Sequence, residues 1–416
     1  MIEDAVQLFS AGESVADPER LYSELREKAP VHLVKPLGVW LLSRYDDIQW
    51  ALRSPELFSS KQSVEARRPM QNPRLIEAAK ELGTLSLIGS DPPDHTRLRK
   101  LVSGVFSPKS TARLEGRIRA LAIEMTSAMG ERDEVDLMED LAAPLPVTVI
   151  SELLGVDTAR RRQFKRWSDD LVATAGVGRD FSEDEVDRLI ASRHEFLDCL
   201  RGIIAARRVE PKDDLVSDLV RAEAEDDALS ANDVLSMTLL LMIAGNETTT
   251  NLVGNGTLEL LEHPDVLATV RADPGRIPAF LEETLRHMSP VRMLSRRAAK
   301  AVTVRGVTIP EGASVFLLLD AANRDPEVFA EPSRFDITRL FPTQISFGSG
   351  IHFCVGAPLA RLEGRVVFEE MLRRLPPFTR REGPLDWQPT FGLRGLRSLP
   401  LVLRRAQEER LPSRAA

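Results

Sequence analysis

Between Ser230 and Pro264 the chain carries a segment that reads as one long helix, and a helix of that length dictates much of what can surround it. Ser230-Ala231-Asn232-Asp233 has the form of a capping box, and the helical pattern runs through Leu239-Leu240-Leu241-Met242-Ile243 to a stop near His263-Pro264. A segment so apolar around its circumference belongs inside a large helical body. Its middle is weak: in Ala244-Gly245-Asn246-Glu247-Thr248-Thr249-Thr250 a glycine costing up to about 1 kcal/mol precedes three β-branched residues. The Thr248 hydroxyl can bond the Ala244 carbonyl four residues back, loosening the helix and opening a groove beside a ligand. Taken alone, a Glu-Thr pair in a helix is usually structural.

The rest of the chain fits a mainly α fold with small peripheral β-sheets. Val31-His32-Leu33-Val34 and Val39-Trp40-Leu41-Leu42 read as a hairpin, residues 92 to 290 as helices, and 302 to 319 as strands broken at Gly306 and Pro310-Glu311-Gly312. A second hairpin is expected near residues 390 to 403. The 416 residues show neither a low-complexity linker nor a repeat, so one domain over residues 1–416 is expected. A net charge of −8 leaves no global basic field for nucleic acid, and the run Arg160 to Arg166 reads as a solvated helix face. Met1-Ile2-Glu3-Asp4 is acidic where a secretory signal would be basic, and no apolar run reaches the roughly 20 residues of a membrane span. With two cysteines, Cys199 and Cys354, a cytoplasmic protein without a membrane anchor is expected.

The segment Phe347-Gly348-Ser349-Gly350-Ile351-His352-Phe353-Cys354-Val355-Gly356-Ala357-Pro358 is a glycine-rich turn feeding a helix. Its glycines allow positive φ and close approach of a flat ligand. Pro358 suits a first helical turn, so Cys354 lies just ahead of a helix N-terminus, where amides and the helix dipole favour a thiolate. A small core residue is the plain alternative, and three glycines in register weigh against it. Zinc held by His352 and Cys354 would need a further ligand pair at suitable spacing, and none follows. Elsewhere, Glu283 and Arg286 share a helix face. His95 and Arg99 stand at i and i+4 on a helix opened by Pro92-Pro93, placed to hold a carboxylate.

The cysteine segment resembles the haem-binding loop of the cytochrome P450 superfamily, Phe-x-x-Gly-x-His/Arg-x-Cys-x-Gly, with every fixed position met. Ala244-Gly245-Asn246-Glu247-Thr248 is similar to the family's oxygen-binding signature, although Asn246 stands where many bacterial relatives carry histidine. The resemblance runs from about Pro18 to the last strands, with the motifs in the family's order. It implies a triangular helical prism with the long helix over haem b, and Cys354 as the axial thiolate. Haem contacts would come from His95, Arg99, Ala244, Gly245, Arg296, Phe347, Gly348, His352 and Gly356. Thr248 would donate to the dioxygen being activated, Ala244 and Gly245 would leave room for it, and Glu247 would relay protons. Glu283 and Arg286 match the Glu-x-x-Arg motif, and Arg334 is expected as its partner arginine.

The resemblance also implies an oxidoreductase that hydroxylates or epoxidises a lipophilic molecule such as a terpenoid, steroid, fatty acid or polyketide. The pocket would be lined by Leu87, Leu240, Ile243, Ala244, Val291, Met293 and Phe391, within the stretches Leu85 to Ile88, Val291 to Leu294 and Phe391 to Leu393. No flavin or nicotinamide fingerprint is evident. A ferredoxin or flavodoxin with its reductase is therefore the expected electron source for a monomer, docked near Arg97, Lys100 and Arg113. A peroxide-driven or rearranging haem-thiolate enzyme is the alternative, and a non-catalytic haem sensor a more distant one.

Overall fold

The computed structural model describes residues 18–61, 72–79, 87–155, 160–174, 181–226, 229–340, 343–388 and 392–404. The long helix is present as Ala231–Glu262. Ser230 and Asp233 form the reciprocal cap, the Asp233 amide donating to Ser230 Oγ at 3.1 Å and the Ser230 amide to Asp233 at 2.9 Å. His263 ends it, and Pro264 opens the next helix, Pro264–Ala272. The helices Pro144–Leu153, Arg161–Thr174, Glu183–Val209, Ile277–His287 and Ala357–Arg374 pack around it over one large apolar core.

The expected first hairpin is β1 (Val31–Val34) on β2 (Val39–Leu42), and it forms one edge of a five-stranded sheet. Three further strands complete that sheet: β3 (Phe58–Ser59), β5 (Met293–Ala298) and β8 (Ser314–Leu318), in the order β1-β2-β8-β5-β3. The β2–β8 pair is parallel and the others are antiparallel. Between β5 and β8, β6 (Val302–Val304) and β7 (Val307–Ile309) form a small hairpin. Among the described residues no helix is long and apolar enough to cross a membrane.

Among the described residues, the closing hairpin expected near residues 390 to 403 is shifted towards the N-terminus, and the last two strands do not pair with each other. β11 (Leu396–Ser398) pairs with β10 (Asp386–Trp387), while β12 (Pro400–Leu403) lies between β4 (Glu134–Asp136) and β9 (Phe378–Arg380). Only Leu399 separates β11 from β12, too short a link for the two to turn back on each other, so they continue as one ribbon with different partners. β4 falls inside the stretch read as mostly helical. Its strand state is set by β12, more than 260 residues away.

Candidate active site

Cys354 closes a tight loop with its own backbone bonds. Its amide donates to the Phe347 carbonyl at 2.9 Å, and the Gly348 amide to the Ile345 carbonyl at 2.8 Å. Gly350 has φ of 69°, and a Cβ there would stand 2.4 Å from the Leu52 carbonyl oxygen, so glycine is required. Helix Ala357–Arg374 starts three residues after the cysteine, with Gly356 as N-cap and Pro358 in its first turn. Burial pushes the Cys354 thiol up, and the Gly356 and Ala357 amides with the charges of Arg99 and Arg361 oppose that rise. A Cβ on Gly356 would lie 4.0 Å from the sulfur. The Arg361 guanidinium lies 4.6 Å from the centre of the Phe347 ring.

Four nitrogen-bearing side chains meet beside this loop. His95, on helix Asp94–Ser103, is buried with its ring centre 4.3 Å from that of His352. Arg99 donates to the Phe353 carbonyl at 2.7 Å, and Ser60 Oγ stands 2.9 Å from His352 Nε2. Arg296, on β5, is 6 % exposed and donates to its neighbour's carbonyl, Ser295, at 2.8 Å. Burial pulls Arg296 down to about 10, and burial together with Arg296 and His95 pushes His352 down to about 3. His95 Nε2 is buried without a hydrogen-bond partner among the described residues. Such a nitrogen is left able to bond a group that enters here.

The central helix opens on one side only. From Asp233 to Leu260 every residue is buried except Leu240, Ile243, Ala244, Gly245 and Thr248. Four of these, Leu240, Ile243, Ala244 and Thr248, recur at spacings of three and four, which is one helix face left uncovered. Thr248 Oγ1 donates to the Ala244 carbonyl at 2.8 Å, as the sequence predicts. Gly245 has a packing role as well. A Cβ there would meet the Ile150 side chain at 3.2 Å, so this glycine admits helix Pro144–Leu153 and Ala244 carries the opening.

Glu247 is 3 % exposed, and its Oε2 lies 3.6 Å from Lys165 Nζ. Lys165 also pairs with Asp169. Burial pushes the Asp169 carboxyl up to about 6, Lys165 lowers it and Glu247 raises it. Lys165 belongs to the run read as a solvated face, and that reading fails for it. Phe164, Trp167 and Leu171 bury one side of helix Arg161–Thr174 and turn the neighbouring Lys165 inward. That apolar spacing was the available signal, and the strong basic run masked it.

Glu283 and Arg286 form a buried two-point pair, Nε to Oε2 at 2.8 Å and Nη2 to Oε1 at 2.7 Å. Arg334 is not their partner. Its side chain is 61 % exposed and pairs with Glu331; only its carbonyl meets Arg286, at 3.0 Å. Arg339 takes the place, its Nε 3.1 Å from Glu283 Oε1, because the turn through 330–339 brings three carbonyls to its other nitrogens.

Of the expected pocket residues, Leu240, Ile243 and Ala244 lie on the open stripe, Leu87 is buried in the turn Leu87–Gly89, and Val291 is half-buried. Met293 is 5 % exposed and packs with Val39, Leu41 and Phe316 in the core beneath the sheet. Strand alternation instead brings Leu294 to the cysteine loop, where a Cβ on Gly348 would be 3.7 Å from Leu294 Cδ1. Leu85 and Phe391 lie outside the described residues.

The sequence matches the family described as Cytochrome P450 over residues 179–394. It is 40% identical over 393 residues to Cytochrome P450 107B1 of Saccharopolyspora erythraea, covering 92% of this chain and 95% of that protein. The chain belongs to the cytochrome P450 family. Another relative, 6-deoxyerythronolide B hydroxylase of the same organism, is 38% identical over 92% of this chain and 95% of its own length. Among solved structures, CYP109E1 from Bacillus megaterium in complex with testosterone is similar with a TM-score of 0.84 at 32% identity, covering 94% of this chain and 99% of that one. This P450 is an oxidoreductase of the haem-thiolate monooxygenase type, with a mainly α P450 fold. Its residues fit such a cofactor: a thiol at a helix N-terminus, a rim of nitrogen-bearing side chains and an open stripe on a buried helix.

Proposed function

We propose that residues 1–416 form a single domain that binds haem b and oxidises a neutral, lipophilic small molecule. The observation that carries this reading is the stripe Leu240-Ile243-Ala244-Thr248, the one open face of an otherwise buried helix. Cys354 would be the axial ligand. His95, Arg99, Arg296 and His352 would hold the propionates, and Phe347, Gly348 and Gly356 would shape the loop beneath the ring. When bound, the haem supplies oxygen activation, with one atom going to the substrate and the other to water.

Two residues of the central helix handle the protons. The Thr248 hydroxyl, held by the Ala244 carbonyl, presents its oxygen to the open face. Glu247, anchored by Lys165, would exchange protons between that face and solvent. The pocket residues are Leu87, Leu240, Ile243, Ala244, Val291 and, in place of Met293, Leu294. None of them carries charge, which suits a polyketide- or steroid-like substrate of the kind named for the relatives.

Electrons would come from a ferredoxin or flavodoxin with its reductase, to a monomer in the cytoplasm. Lys100 and Arg113 are exposed, while Arg97 reaches Asp233 at 3.6 Å. The decisive experiment replaces Cys354 with alanine and records the reduced carbon monoxide difference spectrum. Loss of the thiolate band is expected, and an unchanged spectrum refutes the ligand. Turnover driven by peroxide but not by electron carriers would favour the peroxide-dependent alternative.

A further inference from the structure

Behind the pocket wall lies a buried polar cluster that the chemistry above does not use. Residues 288–293 and 392–395 run there as a short antiparallel pair. Val291 bridges Leu393, the Arg292 amide donates to the Gly392 carbonyl at 2.8 Å, and the Arg394 amide to the Pro290 carbonyl at 3.0 Å. Neighbours in extended chain alternate sides. Val291 and Leu393 are half-buried, whereas Arg292 and Arg394 are 1 % and 5 % exposed. One side of the pair thus presents apolar groups, and the other drives two guanidinium groups into the interior.

In that interior Arg292 donates to the Tyr22 hydroxyl at 3.2 Å, and its Nε stands 3.7 Å from the Asp320 carboxylate. The Asp320 amide returns a bond to the Arg292 carbonyl at 3.2 Å. Arg394 lies over the Trp387 ring at 5.2 Å and interacts electrostatically with Asp320. The central helix is fastened to the same pair. Asn255, two turns beyond Thr248 and fully buried, donates its amide to Met288 O at 3.2 Å and to Arg394 O at 3.0 Å. Asn251, one turn nearer Thr248, is packed so closely on Gly395 that a Cβ there would fall 1.9 Å from its Oδ1.

We infer that Asn255 and the Arg292–Asp320–Arg394 cluster are positioning residues that hold the Val291 and Leu393 turns at a set distance from Thr248, and so select substrate shape. The inference rests on the reading that Val291 lines the pocket. Buried charges are a poor source of stability, since apolar replacements of similar volume are often neutral or better. What they do supply is direction: the Arg292 bond to the Tyr22 hydroxyl and a single Asn255 amide spanning two carbonyls define where each turn sits. That matters because a displacement of about 1 Å near reacting atoms can cost on the order of 100-fold in rate.

The test uses Asn255→Ala and Arg394→Lys in the full-length haem-loaded protein. Imidazole, 1-phenylimidazole and 4-phenylimidazole are titrated by haem absorbance, and amide hydrogen exchange is followed over residues 288–294 and 392–396. Exchange in both segments should quicken at least tenfold. Imidazole affinity should stay within twofold, while the ratio of phenylimidazole to imidazole affinity moves tenfold or more. Unchanged exchange overturns the inference. Faster exchange with an unchanged ratio also overturns it, and places the failure in the pocket assignment of Val291. Should Asn255→Ala fail to retain haem, Asn255→Ser replaces it. Loss of haem in both Asn255→Ser and Arg394→Lys would mean the cluster holds the fold instead, which overturns the inference as well.

Discussion

The cysteine loop and the Ala244–Thr248 stretch of the central helix are both proposed to serve the chemistry, yet they are built differently. The loop is tied by backbone bonds among its own residues, such as Cys354 to Phe347, and is further held by Arg99 at the Phe353 carbonyl, by Ser60 at His352 and by the Leu52 carbonyl against Gly350. Beyond its helical backbone bonds, the helical stretch makes local side-chain bonds from Thr248 to Ala244 and from Thr250 to Asn246. Its other attachments come from distant elements: Ile150 against Gly245, Lys165 to Glu247, and Ser168 Oγ 3.4 Å from Asn246. A locally closed structure fails abruptly when altered, whereas one supported by remote side chains adjusts. The loop side should therefore be intolerant and the helix side forgiving.

The largest effect is expected at Gly350. An alanine would meet the Leu52 carbonyl and hold a left-handed φ that costs about 1–2 kcal/mol before any clash. Gly350→Ala should abolish haem incorporation, read as the ratio of Soret to protein absorbance; a normal ratio would break the contrast. Behind the loop, Arg339→Ala should cost about 1.5–3 kcal/mol in urea unfolding, because it removes one bond from buried Glu283, which Arg286 still holds at two points. Arg334→Ala should stay within about 0.5 kcal/mol, as exposed pairs do. Equal effects would refute the reassignment.

Glu363, on the cysteine helix, gives a pH test. Burial alone pushes its carboxyl up to about 8, so the folded protein holds a proton that the unfolded chain releases near pH 4–5. Stability from this group is present below that range and is lost as pH rises towards 8. Glu363→Gln should therefore outlast the parent by about 2 kcal/mol or more at pH 8 and lose that advantage near pH 4.5. A pH-independent difference would count against a neutral carboxyl there.

The smallest effect belongs to the helix side. Gly245→Ala gains up to about 1 kcal/mol of helix propensity, which the 3.2 Å contact with Ile150 offsets. A net change below about 1 kcal/mol is expected, turning stabilising in an Ile150→Ala background, where the space exists. Additive effects would show that Ile150 is not what the glycine accommodates.

Much of this was legible in the chain itself. The length and ends of Ala231–Glu262 follow from its cap, apolar run and His-Pro stop, and the Thr248 back-bond follows from spacing of four. The cysteine turn was equally plain, because its function depends on φ and on helix-end geometry that adjacent residues encode. Arg334 was mistaken for Arg339 because a five-residue offset inside a turn carries no periodic signal. Met293 and Leu294 are one residue apart, so which faces the loop depends on the register of β5 against β8.

By itself, then, the sequence determined what is local: most helix limits and strand runs and the glycine turn around Cys354. Tertiary structure decided what each group meets. It turned Lys165 inward to Glu247, gave Glu283 its second arginine, recruited β4 to β12, and tied the Val291 turn to the central helix through Asn255. The physical reason is one of range. Backbone preference and helix-end electrostatics act over a few residues, whereas burial and pairing depend on which distant surfaces come together when the core closes.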